Sequence, residues 1–143
     1  MAETRTEKKF QLRVITPTET KIDEQTSLVI MRCIDGAWGV LAGHDERSAV
    51  LDIGAVRIIT DGVERRLAAY GGLAEVKDNV LTILTQEAHW PEDINHDRAR
   101  AERENVARQM LEETTDVEVR RLEVMLRRAL VQIEVSSYPV INK

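Results

Sequence analysis

Aromatic residues are scarce: Phe10, Trp38, Tyr70, Trp90 and Tyr138 are the only five in 143 residues. A groove for single-stranded nucleic acid stacks bases on aromatic rings, and this chain has almost no material for one. Cationic excess is lacking too. With 20 Lys and Arg against 25 Asp and Glu, and a formal net charge of -5, there is no electrostatic footprint for a phosphate backbone. The single cysteine, Cys33, excludes an internal disulfide and a cysteine-rich zinc site, and fits a reducing compartment. No apolar run approaches the roughly 18 residues of a membrane span. The opening Met1 to Lys9 mixes acids with bases and has no apolar stretch behind it, unlike a signal or transit peptide.

Catalytic motifs are missing as well. His44, His89 and His96 stand in no H-E-x-x-H frame, and His89 and His96 are about two helical turns apart, too far to share one ion without other ligands. G-x-S-x-G is absent, and Ser48 beside Arg47 near His44 is a local coincidence of polar residues. The run Gly36 to His44 is glycine-rich but lacks the Lys-Ser/Thr ending with which a P-loop reaches phosphate and magnesium, so it reads as a turn with close backbone approach. The residues supply no metal site and no catalytic residue, and no cofactor is required.

What the chain does have is 43% hydrophobic residues, enough for one core or two small ones. From Phe10 to about Ala88 the pattern is of short β-rich runs. Phe10, Leu12 and Val14 alternate with polar neighbours, Leu28 to Ile34 forms a second run, and Val56 to Thr60 leads through Asp61-Gly62 into Val63 to Tyr70. An Asp-Gly pair between two such runs predicts a β-hairpin with a primed turn, which needs positive φ at both central residues. Gly71-Gly72 is read as a break, followed by Leu73 to Val76, a turn at Lys77-Asp78-Asn79, and a last strand from Val80 to Thr85. Strands at this spacing with no helix between them predict an antiparallel sandwich or barrel and argue against a nucleotide-binding α/β fold.

After Trp90-Pro91 glycine disappears, lysine survives only as Lys143, and arginine carries the positive charge. Pro91-Glu92-Asp93 suits a helix start, with a first helix expected from Ile94 to about Glu113. Thr114-Thr115-Asp116 separates it from a second helix, and Thr115 to Glu118 fits a capping box. The second helix has a stripe of Val119, Leu122, Met125, Leu126, Ala129, Leu130 and Ile133. The first is poorer, offering Ala99, Val106, Ala107, Met110 and Leu111, with Arg103 where the stripe should continue. The fold class is therefore an N-terminal β-sandwich (residues 1–88) followed by an antiparallel two-helix hairpin (residues 89–143). A buried Leu or Val contributes roughly 1.5–3 kcal/mol, so so thin a seam predicts a detachable hairpin.

Arginine is the remaining signal. Arg98, Arg100, Arg103 and Arg108 lie on the first helix, and Arg120, Arg121, Arg127 and Arg128 on the second. Guanidinium forks pair with carboxylate or phosphate. Glutamates lie among them, and a solvated face with helix-surface pairs of tenths of a kcal/mol is the favoured reading by spacing alone.

The segments Phe10 to Pro17, Asp35-Gly36-Ala37-Trp38-Gly39-Val40-Leu41-Ala42-Gly43-His44, Leu51 to Ile58, Gly71-Gly72-Leu73-Ala74-Glu75-Val76, Asn79 to Thr85, and Asp93-Ile94 with Arg98-Ala99, in this order and spacing, closely resemble the epsilon subunit of the rotary F-type ATP synthase. The resemblance covers nearly the whole chain. It implies a non-catalytic central-stalk subunit whose sandwich binds the gamma subunit and sits on the membrane rotor ring, coupling proton or sodium flow to catalysis elsewhere. That places the protein at the cytoplasmic face of the bacterial inner membrane, as a peripheral component with no nucleic-acid partner.

By the same resemblance, Asp35, Gly36, Trp38, Gly39, Gly43 and His44 belong to the region near the rotor ring and gamma. Asp45-Glu46-Arg47 follows where the family usually has a small residue, Pro and Leu, which makes that local contact polar. The resemblance also implies that the hairpin extends toward the alpha/beta catalytic head and inhibits ATP hydrolysis, with Arg120, Arg121, Arg127 and Arg128 among the contacts. Some members bind a regulatory ATP between the folded helices through Ile/Leu-Asp-x-x-Arg-Ala; here Ile94, Asn95, Arg98 and Ala99 match, with Asn95 in place of the acid and Arg128 at a further matching position. His89, Asn105 and Gln132 fall where the resemblance leads one to expect other polar or charged contacts. The alternative, from residues alone, is a β-domain adaptor outside the synthase whose arginine-rich arm recruits an acidic protein.

Overall fold

The computed structural model describes residues 8–112 and 115–138. Glu113 and Thr114, where the inter-helix connection was expected, lie outside them. Eight strands come first: β1 (Phe10–Ile15), β2 (Thr20–Thr26), β3 (Leu28–Cys33), β4 (Gly36–Leu41), β5 (Arg47–Thr60), β6 (Val63–Lys77), β7 (Val80–Leu84) and β8 (Ala88–His89). A single 3-10 turn at Pro91–Asp93 then leads to α1 (His96–Glu112) and α2 (Asp116–Ser137). The strands run in the order β2-β1-β7-β6-β5-β3-β4, with β8 pairing β6. The sheet folds over a core of Phe10, Leu12, Val14, Val29, Met31, Trp38, Ile58, Leu67, Leu81, Ile83 and their neighbours. Sandwich and hairpin are as the sequence predicts. One pairing differs, because β1 and β7 are parallel.

The turns follow local chemistry. Asp61 and Gly62, at φ 50° and 81°, close the predicted hairpin between the paired residues Thr60 and Val63. Asp78 and Asn79 do the same at φ 51° and 62° between Lys77 and Val80. Both are two-residue loops of the primed type, whose twist matches that of the strands.

Gly71-Gly72 is not a break. β6 runs through it in continuous register with β5, from Arg47 opposite Val76 to Thr60 opposite Val63. What changes there is the face. Before the glycines the core takes Leu67 and Ala69, and after them Ala74 and Val76, so the alternation inverts. β5 inverts alongside, from Leu51 to Val56 and Ile58. Gly71 and Gly72 have φ of 85° and 138°, and a Cβ on Gly72 would collide with the Leu84 carbonyl, so only glycine permits the bend.

The run Asp35 to His44 is likewise more than a turn. Its middle is the edge strand β4, which buries Trp38 and Val40, and the two-residue turn before it is Ile34-Asp35. β8 straddles the expected boundary at residue 88, so the sandwich extends through His89.

α1 starts at His96 rather than Ile94. Asn95 caps it, with Oδ1 accepting from the Arg98 N–H at 3.0 Å. The capping box at α2 is not made: Thr115 is the N-cap residue without a side-chain cap bond, and Glu118 accepts from Arg121 at 2.9 Å. α1 packs chiefly on α2 through Ala99, Val106, Leu122 and Ala129. α2 carries the docking onto β5 and β6 with a second pair, Val131 and Val135, against Ala68 and Tyr70 and the half-buried Ile53 and Ala55. Leu130, expected in the seam, is 45% exposed.

Replacing Gly72 by Ala should destabilise the chain by on the order of 3–5 kcal/mol in urea unfolding, through strain and overlap together. Gly39, whose added Cβ would meet nothing nearer than the Ile30 side chain at 4.0 Å, is the control. Its Ala variant should stay within about 1 kcal/mol of the parent.

Candidate functional site

Three surfaces carry the residues singled out in the sequence. The first is the β4 edge. Asp35 and Gly36 lie at one end of β4, and Gly43 and His44 follow its other end, so these residues do not converge on one point. Trp38 belongs to the core, and its indole N–H donates to His44 Nε2 at 3.2 Å. That leaves His44 Nδ1–H to donate to the Asp45 carbonyl at 2.7 Å. The Arg47 guanidinium covers the Trp38 ring at 4.8 Å, and Gly43 N–H donates to Asn79 Oδ1 at 2.9 Å. The turn after β4 is thereby tied to the turn before β7.

At the Asp35 end the structure shows something that sequence reasoning missed. Val50, Leu73 and Leu84 are 44%, 54% and 47% exposed and stand opposite one another on β5, β6 and β7. Ile34, 66% exposed, extends the row from beyond β3, its N–H donating to the Val50 carbonyl, and the half-buried Ile15 extends it on β1 opposite Leu84. Cross-strand partners point to one face, so five strands present one apolar band about 19 Å wide at the usual strand spacing. A groove of about 410 Å³ runs along it, lined by Ile15, Pro17, Leu73 and Leu84. No periodicity within a single strand could have revealed it.

The second surface is the seat of α2. Positions 117, 120, 121, 124, 127, 128 and 131 share one helix face. Its C-terminal part meets the sandwich: Val131 is buried, Arg128 Nη2 donates to Glu87 Oε1 at 2.6 Å, and Arg127 Nη1 reaches Asp52 Oδ1 at 3.4 Å. The N-terminal part projects past the sheet. Val117 and Val124 are 77% and 49% exposed, Arg121 holds Glu118, and Arg120 forms no ion pair with a described residue. The four arginines thus lie on one face but divide into a docked pair and an outlying pair.

Polar contacts frame the seat. Gln132 Nε2 donates to the Tyr70 hydroxyl at 3.1 Å, which is 2.9 Å from His89 Nδ1, while His89 Nε2 lies 3.2 Å from Glu87 Oε2. Hydrogen bonding from Arg128 lowers the Glu87 pKa, and burial raises that of Tyr70. Near the C-terminal end of α2, Arg66 donates to Glu134 at 3.2 Å and lies under the Tyr138 ring at 4.2 Å. Arg57 and Arg66 stand directly opposite each other, a repulsive pair, and Glu64 resolves it by accepting from both at 2.8 Å. The Arg57 hydrogen bond, followed by that of Arg66, holds the Glu64 carboxyl down at about 2 against burial.

The third surface is a cleft of about 460 Å³ between α1 and the sandwich, which brings Ile94, Asn95, Arg98 and Ala99 together with Gln132 and His89. Its charged lining is Glu87, Asp93 and Glu102 against Arg98. Even with Arg128 at its border, acids outnumber arginines, and Asn95 Oδ1 is already engaged as a helix cap. The cleft therefore fits a triphosphate poorly. Among the described residues no group of three or more His, Cys, Asp or Glu is placed to hold a metal ion, and no helix is long and apolar enough to cross a membrane.

Residues 9–91 match the family described as ATP synthase, Delta/Epsilon chain, beta-sandwich domain. The ATP synthase epsilon chain of Caldicellulosiruptor bescii is 33% identical over 89% of this chain and 93% of its own length. That of Bacillus licheniformis is 33% identical over 90% and 98% respectively. Among solved structures, a chain of the Euglena gracilis mitochondrial ATP synthase superposes with a TM-score of 0.80 at 22% identity, covering 95% of this chain and 86% of that one. One from the Tetrahymena thermophila central stalk and c-ring gives 0.66 at 12%, covering 93% and 100%. These two likenesses are of fold.

Because the Glu64 pKa is depressed from its ordinary 4.5 to about 2, its contribution to stability is complete above about pH 4.5 and drains away as pH falls toward 2. The parent should therefore lose on the order of 2 kcal/mol more than Glu64→Gln across that window in unfolding titrations.

Proposed function

The chain belongs to the family of ATP synthase epsilon chains, the non-catalytic central-stalk subunit of the synthase, and from that premise we propose that its two parts do separate jobs. The sandwich grips the rotor, and the hairpin is a movable brake on ATP hydrolysis. The observation that carries this is the single face of α2 on which Arg120, Arg121, Arg127 and Arg128 alternate with Val117, Val124 and Val131. Half of it is covered by the sandwich, and half is left over. A basic, apolar helix face of about 21 Å from Val117 to Val131, at 1.5 Å per residue, suits a groove with acidic walls, the chemistry this reading assigns to the alpha/beta head.

The band from Ile34 to Ile15 supports the grip. Contiguous apolar patches on a small domain mark partner contacts, and this one suits the gamma subunit. The Ile34-Asp35 turn beside it is the part assigned to the membrane rotor ring. The protein then sits peripherally on the cytoplasmic face of the bacterial inner membrane, coupling ion flow to the head without reacting itself. The reading includes no cofactor, since the cleft that would take a regulatory ATP is lined by more carboxylates than guanidinium groups.

Docking of the hairpin is weak enough for such motion. Val131 and Val135 contribute about 1.5–3 kcal/mol each, and the exposed ion pairs around them add about 0–1 kcal/mol each.

Two measurements test the halves separately. Neutralising all four α2 arginines should raise ATP hydrolysis by the assembled synthase on the order of threefold to tenfold, and an unchanged rate would overturn the brake. Leu73→Glu, which puts a charge in the middle of the apolar band, should weaken co-purification with gamma by at least about tenfold while leaving the isolated chain folded. Full retention of gamma would remove the band from the interface.

A further inference from the structure

Arg128 is held on two sides. Its guanidinium donates to Glu87 Oε1 at 2.6 Å and lies over the Tyr70 ring at 4.2 Å, a charge-assisted hydrogen bond combined with a cation–π contact. One turn along, Gln132 Nε2 donates to the Tyr70 hydroxyl at 3.1 Å. Tyr70 O–H can therefore donate to His89 Nδ1 at 2.9 Å, which leaves His89 Nε2–H facing Glu87 Oε2 at 3.2 Å. The contacts close a ring, Arg128 to Glu87 to His89 to Tyr70 and back to Arg128. Arg128 is the arm's member of the ring and the other three come from the sandwich, with Gln132 joining from the arm through the Tyr70 hydroxyl.

The sandwich members are organised without the arm. Tyr70 N–H donates to the Glu87 carbonyl at 3.3 Å, and Tyr70 and His89 meet edge to face with centroids 5.3 Å apart. His89 touches neither Arg128 nor Gln132 in this ring. It sets the Tyr70 hydroxyl and the Glu87 carboxylate at the separation that an arginine and a glutamine one helical turn apart require.

We propose that Glu87, His89 and Tyr70 are a built-in receptor for α2, a latch that sets the balance between the docked and extended hairpin by giving Arg128 a carboxylate and a ring inside its own subunit. It takes the place of a small-molecule ligand, consistent with the acid-rich cleft beside it. Arg128 then serves one partner at a time: while Glu87 holds it, it is withheld from any acidic surface on the head. The proposal rests on the brake reading above, but the latch itself can be measured without the synthase.

Hydrogen exchange on the full chain is the test. Glu87→Gln should speed exchange of the α2 amides around residues 128–135 by about threefold to tenfold, and Tyr70→Phe by about twofold to fivefold, the effects of one charged and one neutral hydrogen bond. Amides of β1 and β7 should stay at the parental rate, which excludes global loosening. The exchanged pair Glu87→Arg with Arg128→Glu should return α2 to within about threefold of the parent. Raising salt from about 0.1 M to about 1 M should speed α2 exchange in the parent and hardly at all in Glu87→Gln, a readout that does not depend on the double variant folding. Parental α2 protection in Glu87→Gln, or equal salt responses in both proteins, overturns the latch. In the assembled synthase Glu87→Gln should lower ATP hydrolysis about twofold or more by releasing the arm. Faster exchange with unchanged hydrolysis upholds the latch and overturns the brake.

Discussion

The seat of α2 and the apolar band both depend on the inversion of two paired strands at Gly71-Gly72. A regular strand offers one face to the core and the other to solvent along its whole length. β5 and β6 exchange those faces midway while keeping their register, because Gly71 and Gly72 have positive φ and Gly72 passes the Leu84 carbonyl with no side chain between. On one side of the bend Ala68 and Tyr70 face the helices; on the other, Leu73 joins the apolar band. The seat of α2 and the apolar band are thus two ends of one ladder.

The two parts differ in what holds them. The sandwich buries a continuous aliphatic core in which Leu12, Val14, Val29, Ile58, Leu67, Leu81 and Ile83 are wholly shielded from water. The arm rests on Val131, Val135 and a border of ion pairs that water screens. Apolar contact of this extent is indifferent to which surface it meets, whereas the polar contacts of Arg128 and Gln132 are directional. Burial lets the arm dock, and hydrogen bonding decides where.

Local signals were legible in the sequence and relations across the chain were not. Asp61-Gly62 announced its hairpin because the requirement for positive φ resides in those two residues. Gly71-Gly72 carries a local signal that fits a break equally well; only the partner strand makes it a bend. Thr115 to Glu118 has the letters of a capping box, yet Glu118 prefers a guanidinium one turn on. The stripe ending at Ile133 described the seam with α1, but Val131 and Val135 serve a second neighbour that helical periodicity does not name. The arginine face of α2 was visible as spacing. Its division into docked and outlying halves follows from where the sheet ends, and the Tyr70, Glu87 and His89 cluster is assembled from β6 and β8 by folding alone.

The unbroken pairing of β5 with β6 also limits how this architecture can drift. Lengthening one strand by a single residue would slip every neighbour by one place and turn Val50 or Leu73 inward, with Leu51 or Ala74 pushed out. The ladder can grow or shrink only through matched changes in both strands, in steps of two. Divergence in this part of the molecule is therefore channelled into substitution rather than into single-residue insertion or loss.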